Sequence, residues 1–194
     1  MGTAREFLTS PVRTGAVTAA STALAEAMVR NADLENRRRV VELGPGTGVI
    51  TAELLPRLDA RAQFFAIELN ETFARRTRER CPDAVVHQGD ALQLERYLAD
   101  WGGETCDAIV SSLPWTLMKP ALQQDLLDTV KRCLAPGGIF VTYIYTTSTL
   151  RADGREFMRS LRQRFCTDQC SREHVFRSLP PAWVMRCEQP HQVA

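Results

Sequence analysis

The feature that most constrains this chain is the alternation of short β-rich runs with helical stretches. The runs "RVVEL" (39–43), "QFFAIEL" (63–69), "AVVHQ" (84–88), "DAIVSSL" (107–113) and "GIFVTYIY" (138–145) read as strands. Helical patterns lie between them at about 49–58, 71–80, 92–99 and 119–134. Such alternation predicts a mostly parallel sheet covered by helices on both faces. "LAPGG" (134–138) reads as a helix stop and turn. Beyond residue 145 a helix is expected at about 153–164, then the strand-like "CSREHVFRSL" and "AWVMRCE". Those two strands would close a seven-stranded sheet with an antiparallel C-terminal hairpin. Ahead of the first strand, "STALAEAMVRNA" (21–32) reads as a helix capped by Ser21.

At 194 residues the chain is long enough to bury a core as one domain, and no repeat or linker divides it. We expect an N-terminal segment, 1–32, attached to a main domain over 33–194. The formal net charge of +1 argues against a surface broadly adapted to nucleic acid, while leaving room for a local basic patch. The six cysteines form no C-x-x-C pair and no histidine stands at finger spacing, so no metal site is expected. No apolar run approaches the roughly 20 residues that span a bilayer, and a cytoplasmic setting with reduced cysteines is expected.

Between the first strand and its helix lies Gly44-Pro45-Gly46-Thr47-Gly48. Glycines at this spacing let a ligand approach the backbone closely. The pattern is G-x-G-x-G, not the G-x-G-x-x-G of nicotinamide cofactors, and Glu42 just ahead of it suits a cationic ligand better than a pyrophosphate. The second strand ends in Glu68, where a carboxylate accepts from ribose hydroxyls, and the third runs into Asp90, placed for an adenine amino group. S-adenosylmethionine combines ribose, adenine and positive charge. Leu69, Ala91 and Ser111 stand beside these positions and complete the expected cofactor-binding set with Glu42, Gly44, Gly46, Gly48, Glu68 and Asp90. Residues 40–145 thus resemble the Rossmann-like class I methyltransferases.

The fourth strand runs into Ser111-Ser112-Leu113-Pro114-Trp115, which resembles the (Asn/Asp/Ser)-x-Pro-(aromatic) motif of enzymes that methylate amino nitrogens, the rRNA adenine dimethyltransferases among them. The resemblance implies that Ser112 and the Leu113 carbonyl accept hydrogen bonds from the amine, with Trp115 packed alongside. The flanks, "FLTSPVRTGAVTAASTALAEAM" and "SLPPAWVMR" (178–186), together with "VTYIY", resemble small bacterial phospholipid N-methyltransferases. That family converts phosphatidylethanolamine stepwise to phosphatidylcholine. A separate helical RNA-binding domain, which the rRNA enzymes carry, is not expected.

On the lipid reading, Trp115, Tyr143, Tyr145 and Trp183 are candidates for an aromatic box around a quaternary product, Tyr145 first because it ends its strand. Arg177 and Arg186 are the candidates for the substrate phosphate. Phe7, Leu8 and Val12 with Arg5 and Arg13 form a short amphipathic segment that either meets the inner face of the membrane peripherally or covers the cofactor. His87, His174 and His191 are assigned no catalytic role. The alternatives are a methyltransferase of the same fold acting on a soluble amine, a carboxylate or an rRNA adenine, and a protein that binds the cofactor without turnover.

Overall fold

The computed structural model describes residues 22–165 and 170–190. The Ser21 cap, the amphipathic segment over 4–17, Cys166 and His191 lie outside the described residues. The elements are α1 (Thr22–Ala32), β1 (Arg39–Leu43), α2 (Val49–Leu54), β2 (Gln63–Glu68), α3 (Glu71–Arg80), β3 (Val85–Gln88), α4 (Leu94–Asp100), β4 (Cys106–Ser111), α5 (Pro120–Cys133), β5 (Leu134–Tyr145), α6 (Thr146–Thr149), α7 (Ala152–Phe165), β6 (Cys170–Val175) and β7 (Ala182–Glu188). Single 3₁₀ turns follow α2 and precede α4 and α5.

The seven strands form one sheet in the order β3-β2-β1-β4-β5-β7-β6. β1 to β5 run parallel, and β7 enters antiparallel between β5 and β6. The chain order doubles back at β1 and β4, the switch point where such sheets open a crevice for ligands at the carboxyl ends of their strands. Each central strand is buried on both faces, which explains the near-continuous apolar runs of the sequence. Val40, Ala66 and Val110 face α1, α2 and α3, while Val41, Ile67, Ile109 and Phe140 face α4, α5 and α7.

One expectation changes. "LAPGG" is no free turn, because β5 begins at Leu134, directly after α5. The register with β4 moves from Cys106↔Leu134 to Ala108↔Ile139, so extra β5 residues bulge there, with Gly137 at φ 73°. Helix α1, expected within the N-terminal segment over 1–32, packs into the core of the sheet. Its Leu24 and Met28 are fully buried among β5 and β7 residues such as Val141 and Val184.

Met28→Ala should therefore lower unfolding free energy by about 2–5 kcal/mol, the range for removing a long apolar side chain from a packed core. Denaturant titration reads this directly. A loss well under 1 kcal/mol would show that α1 is only loosely applied to the sheet.

Candidate functional site: a cofactor cleft and an acceptor turn

Three loops leave the carboxyl edge of the sheet, and each is tied down by one more rung of ladder-like bonding. Gly44 N donates to the Ile67 carbonyl (2.9 Å), Gly89 N to the Glu68 carbonyl (2.9 Å) and Ser112 N to the Leu43 carbonyl (2.9 Å). Between these loops lies a cleft lined by Gly44, Gly46, Glu68, Asp90, Ser112 and Leu113, among others. Leu69 and Ala91 also line it.

The glycine loop is clamped at Gly46. Its N–H donates to Glu68 Oε2 (3.0 Å), and its carbonyl accepts from Thr77 Oγ1 (2.9 Å) on α3. Gly46 has φ 61°, and a Cβ built on it meets no protein atom within 4 Å. That open space is room for a ligand against bare backbone. Gly44 is needed for a different reason: a Cβ there would lie 2.9 Å from Leu113 Cδ2, so the glycine loop and the Ser112–Trp115 turn pack directly on each other.

Glu68 is 5% exposed. Its other oxygen accepts from Asn70 N (2.9 Å). Burial pushes its carboxyl above the usual range, opposed by the backbone N–H groups of Asn70, Gly46 and Leu69. A carboxylate has about four acceptor positions, so these bonds leave capacity for the hydroxyls of a ribose. Asp90 caps the 3₁₀ turn after β3 by accepting from Leu92 N (3.0 Å) through Oδ1, and its side chain stays at the cleft wall.

On the acceptor side, Ser112 Oγ is buried and has no hydrogen-bond partner. An orphaned hydroxyl in a ligand cleft is a polar group prepared for a partner that the protein does not supply. Pro114, at φ −79° and ψ 66°, makes an inverse γ-turn in which Trp115 N donates to the Leu113 carbonyl (2.9 Å). One lone pair of that carbonyl remains for a second donor.

Several expected site residues lie elsewhere. Glu42 is fully buried behind the loop, accepting from Thr51 Oγ1 (2.6 Å) on α2, and it does not line the cleft. Its other oxygen is unpartnered. Desolvation pushes its pKa to about 8. Gly48 opens α2 at φ 78° and packs against Thr77, not against the cleft. Ser111 is buried beneath the turn, its Oγ facing Leu113 N at 3.3 Å.

Trp115 is 2% exposed and is no face for a substrate. Its ring stacks on Phe157 (5.3 Å between centroids), and its Nε1 donates to Thr142 Oγ1 (2.8 Å), which donates to the Ser111 carbonyl (3.0 Å). Tyr143 and Tyr145 contact each other (5.4 Å) on the α1 side of β5, outside the cleft lining. Trp183 faces the other side, stacked on His174 (4.3 Å) with the Arg172 guanidinium above it (4.6 Å). The four rings therefore form no box. Arg177 lies exposed in the β6–β7 turn at the cleft's edge of the sheet. Arg186 sits mid-strand opposite Val141 and pairs with Glu188 (3.3 Å), so the two arginines do not share one phosphate site.

Sequence reading missed Thr77, Phe73, Met118, Leu122 and Leu126. The last four line the cleft, and Leu122 and Leu126 are one turn apart on α5. That i,i+4 spacing was visible but marks any buried helix face. Nothing in the linear sequence joins Thr77 to a glycine 31 positions earlier.

A switch-point sheet with this glycine clamp and strand-end carboxylates defines an α/β domain of the methyltransferase class. Residues 40–138 match the methyltransferase domain family, and the chain belongs to it. It is 33% identical over 165 residues to ornithine lipid N-methyltransferase of Singulisphaera acidiphila, a match covering 73% of this chain and 86% of that protein. It is 33% identical over 100 residues to ribosomal RNA small subunit methyltransferase A of a Synechococcus species, covering 50% of this chain but only 35% of that protein. Among solved structures, the N-methyltransferase NodS from Bradyrhizobium japonicum shares the fold, with a TM-score of 0.67 at 18% identity over 86% of this chain and 94% of that one. The chain is thus an S-adenosylmethionine-dependent methyltransferase. The open space at Gly46 and the spare acceptor capacity of Glu68 fit that cofactor.

Gly46→Val should abolish cofactor binding by calorimetry while the protein stays folded, since the added atoms meet ligand space and the positive φ costs about 1–3 kcal/mol. Retained affinity would displace the cofactor from this loop. Glu42 offers a second check. Its folded carboxyl keeps its proton to a higher pH than in the unfolded chain, so folding stability falls as pH rises from the ordinary carboxylate range towards about 8. Glu42→Gln, which keeps an acceptor for Thr51, should flatten that fall. Melting temperatures of both forms at pH 6 and pH 8.5 measure it, and parallel curves would contradict a protonated Glu42.

Proposed function

We propose that this enzyme methylates the amine of a phospholipid headgroup, phosphatidylethanolamine and its partly methylated forms, towards phosphatidylcholine at a membrane surface. The observation that carries the reading is the unpartnered Ser112 hydroxyl in the cleft wall, next to a Leu113 carbonyl with a free lone pair. Two acceptors side by side suit a nitrogen with two N–H groups to give and a lone pair to aim. When bound, the cofactor supplies an electrophilic methyl group on a cationic sulfur. The chain's own contribution is orientation and proximity, which require no covalent enzyme intermediate.

The amine must lose its proton before it can attack, because an alkylammonium of pKa about 10 has no lone pair. The apolar wall of Phe73, Met118, Leu122 and Leu126 favours the neutral form by desolvation. A lipid substrate is supported by the likeness to ornithine lipid N-methyltransferase, which spans most of both chains. That name also favours a second reading, in which the methylated amine belongs to an ornithine lipid. An rRNA adenine is less well supported, since the match to the rRNA enzyme spans about a third of it.

Incubation with radiolabelled cofactor and detergent-dispersed phosphatidylethanolamine should move label into the lipid fraction. Label found only in ornithine lipid would replace the substrate, and label in neither would end the lipid reading. Ser112→Ala should lower kcat by about tenfold or more through lost orientation, with cofactor affinity nearly unchanged. An equal fall in both would remove Ser112 from the acceptor site.

A further inference from the structure

Away from the cleft, large apolar side chains stand in solvent in two segments of the same sheet edge. Leu150 is 77% exposed in the link from α6 to α7, and Phe176 and Leu179 are 76% and 88% exposed in the β6–β7 turn. The segments are tied together: Thr146 N donates to the Pro181 carbonyl (2.8 Å), and Thr146 Oγ1 lies 2.9 Å from His174 Nε2. Beside them runs a groove between α7 and β6, lined by Arg155, Arg159, Arg162, Arg172 and Trp183, with no carboxylate among the described residues that line it.

Groove and apolar points are continuous. Arg155 donates to the Leu150 carbonyl (2.6 Å). The Phe176 ring lies 3.9 Å from His174, which stacks on Trp183 beneath Arg172. Arg155, Arg159 and Arg162 recur at helical spacing along the exposed side of α7, and among the described residues Arg159 alone of the three shares a carboxylate, that of Glu156.

We propose that this face docks on an anionic lipid bilayer, with Leu150, Phe176 and Leu179 entering the interface and the arginine groove holding lipid phosphates. Protruding apolar side chains beside an arginine-lined groove complement a surface that is apolar within and negatively charged at its headgroups. A nucleic acid would use the arginines and the indole but leave Leu150 and Leu179 in water. The face borders the carboxyl edge where the cleft opens, so a headgroup amine would reach Ser112 without its lipid leaving the bilayer. In this last respect the inference rests on the lipid reading above.

The test is sedimentation of the full chain with phosphatidylcholine vesicles, with or without one-third phosphatidylglycerol. Variants Leu150→Ser/Phe176→Ser and Arg159→Glu/Arg162→Glu are compared, with melting temperatures and turnover of detergent-dispersed lipid as controls. The wild type should bind the anionic vesicles and release them in high salt. Each double variant should bind about tenfold or more weakly while its controls stay unchanged. Equal binding to neutral and anionic vesicles, or variants that bind like the wild type, would overturn the proposal. So would charge reversal that abolishes binding to an RNA oligonucleotide while vesicle binding persists. If vesicle binding follows the expected pattern but no lipid amine is ever labelled, the docking face stands and the substrate reading falls.

Discussion

The site depends on how Gly46 is held. Both of its backbone polar groups are committed to side chains from other elements, the N–H to Glu68 at the end of β2 and the carbonyl to Thr77 inside α3. A loop of glycines would otherwise be the least ordered part of the chain, because glycine loses the most conformational freedom on folding. The two bonds fix the loop before any ligand arrives, and Glu68 is itself oriented by the same contact. Pre-organisation of this kind lowers the ordering cost of binding.

The turn at Ser112–Trp115 is built on the opposite logic, from a buried post instead of a backbone clamp. Trp115 reaches down from the turn, stacks on Phe157, and closes a chain of bonds through Thr142 to the Ser111 carbonyl. Gln123 of α5 donates to the Trp115 carbonyl (2.8 Å) and braces the turn from its other side. Leu113 meets the cofactor loop at Gly44, so the two halves of the site share one packing contact. The two loops are thereby held at a spacing that neither sets alone. In a transfer between two bound molecules, that spacing is what the protein chiefly contributes.

These two constructions explain what was legible in the sequence. Strands buried on both faces announce themselves as apolar runs, and a glycine loop between strand and helix marks the cofactor end, so Gly46, Glu68 and Asp90 could be placed from local pattern. The side of the sheet on which a residue falls depends on neighbouring strands. Glu42 lies beside Ala66 and Val110 on the face covered by α2, and therefore behind the loop. Trp115 misleads for the same reason: an aromatic after Pro114 reads as a presented ring, and only the position of α7 shows it to be buried. Arg186 and Arg177 flank one sequence segment, yet the strand between them puts them at different heights on the sheet. Thr77 acts across 31 positions and leaves no local signal.

Charge shows the same limit. The formal net charge of +1 averages 24 basic and 23 acidic residues into apparent neutrality. Folding separates part of that balance. Glu68 and Asp90 gather at the cleft, whereas Arg155, Arg159, Arg162 and Arg172 line a groove on another face. A cationic methyl donor and an anionic phosphate would each meet the opposite sign, and the two demands do not compete because the sheet and α7 keep them apart. Partner preference in this chain is therefore a matter of where charge is segregated, which no sum over composition can express.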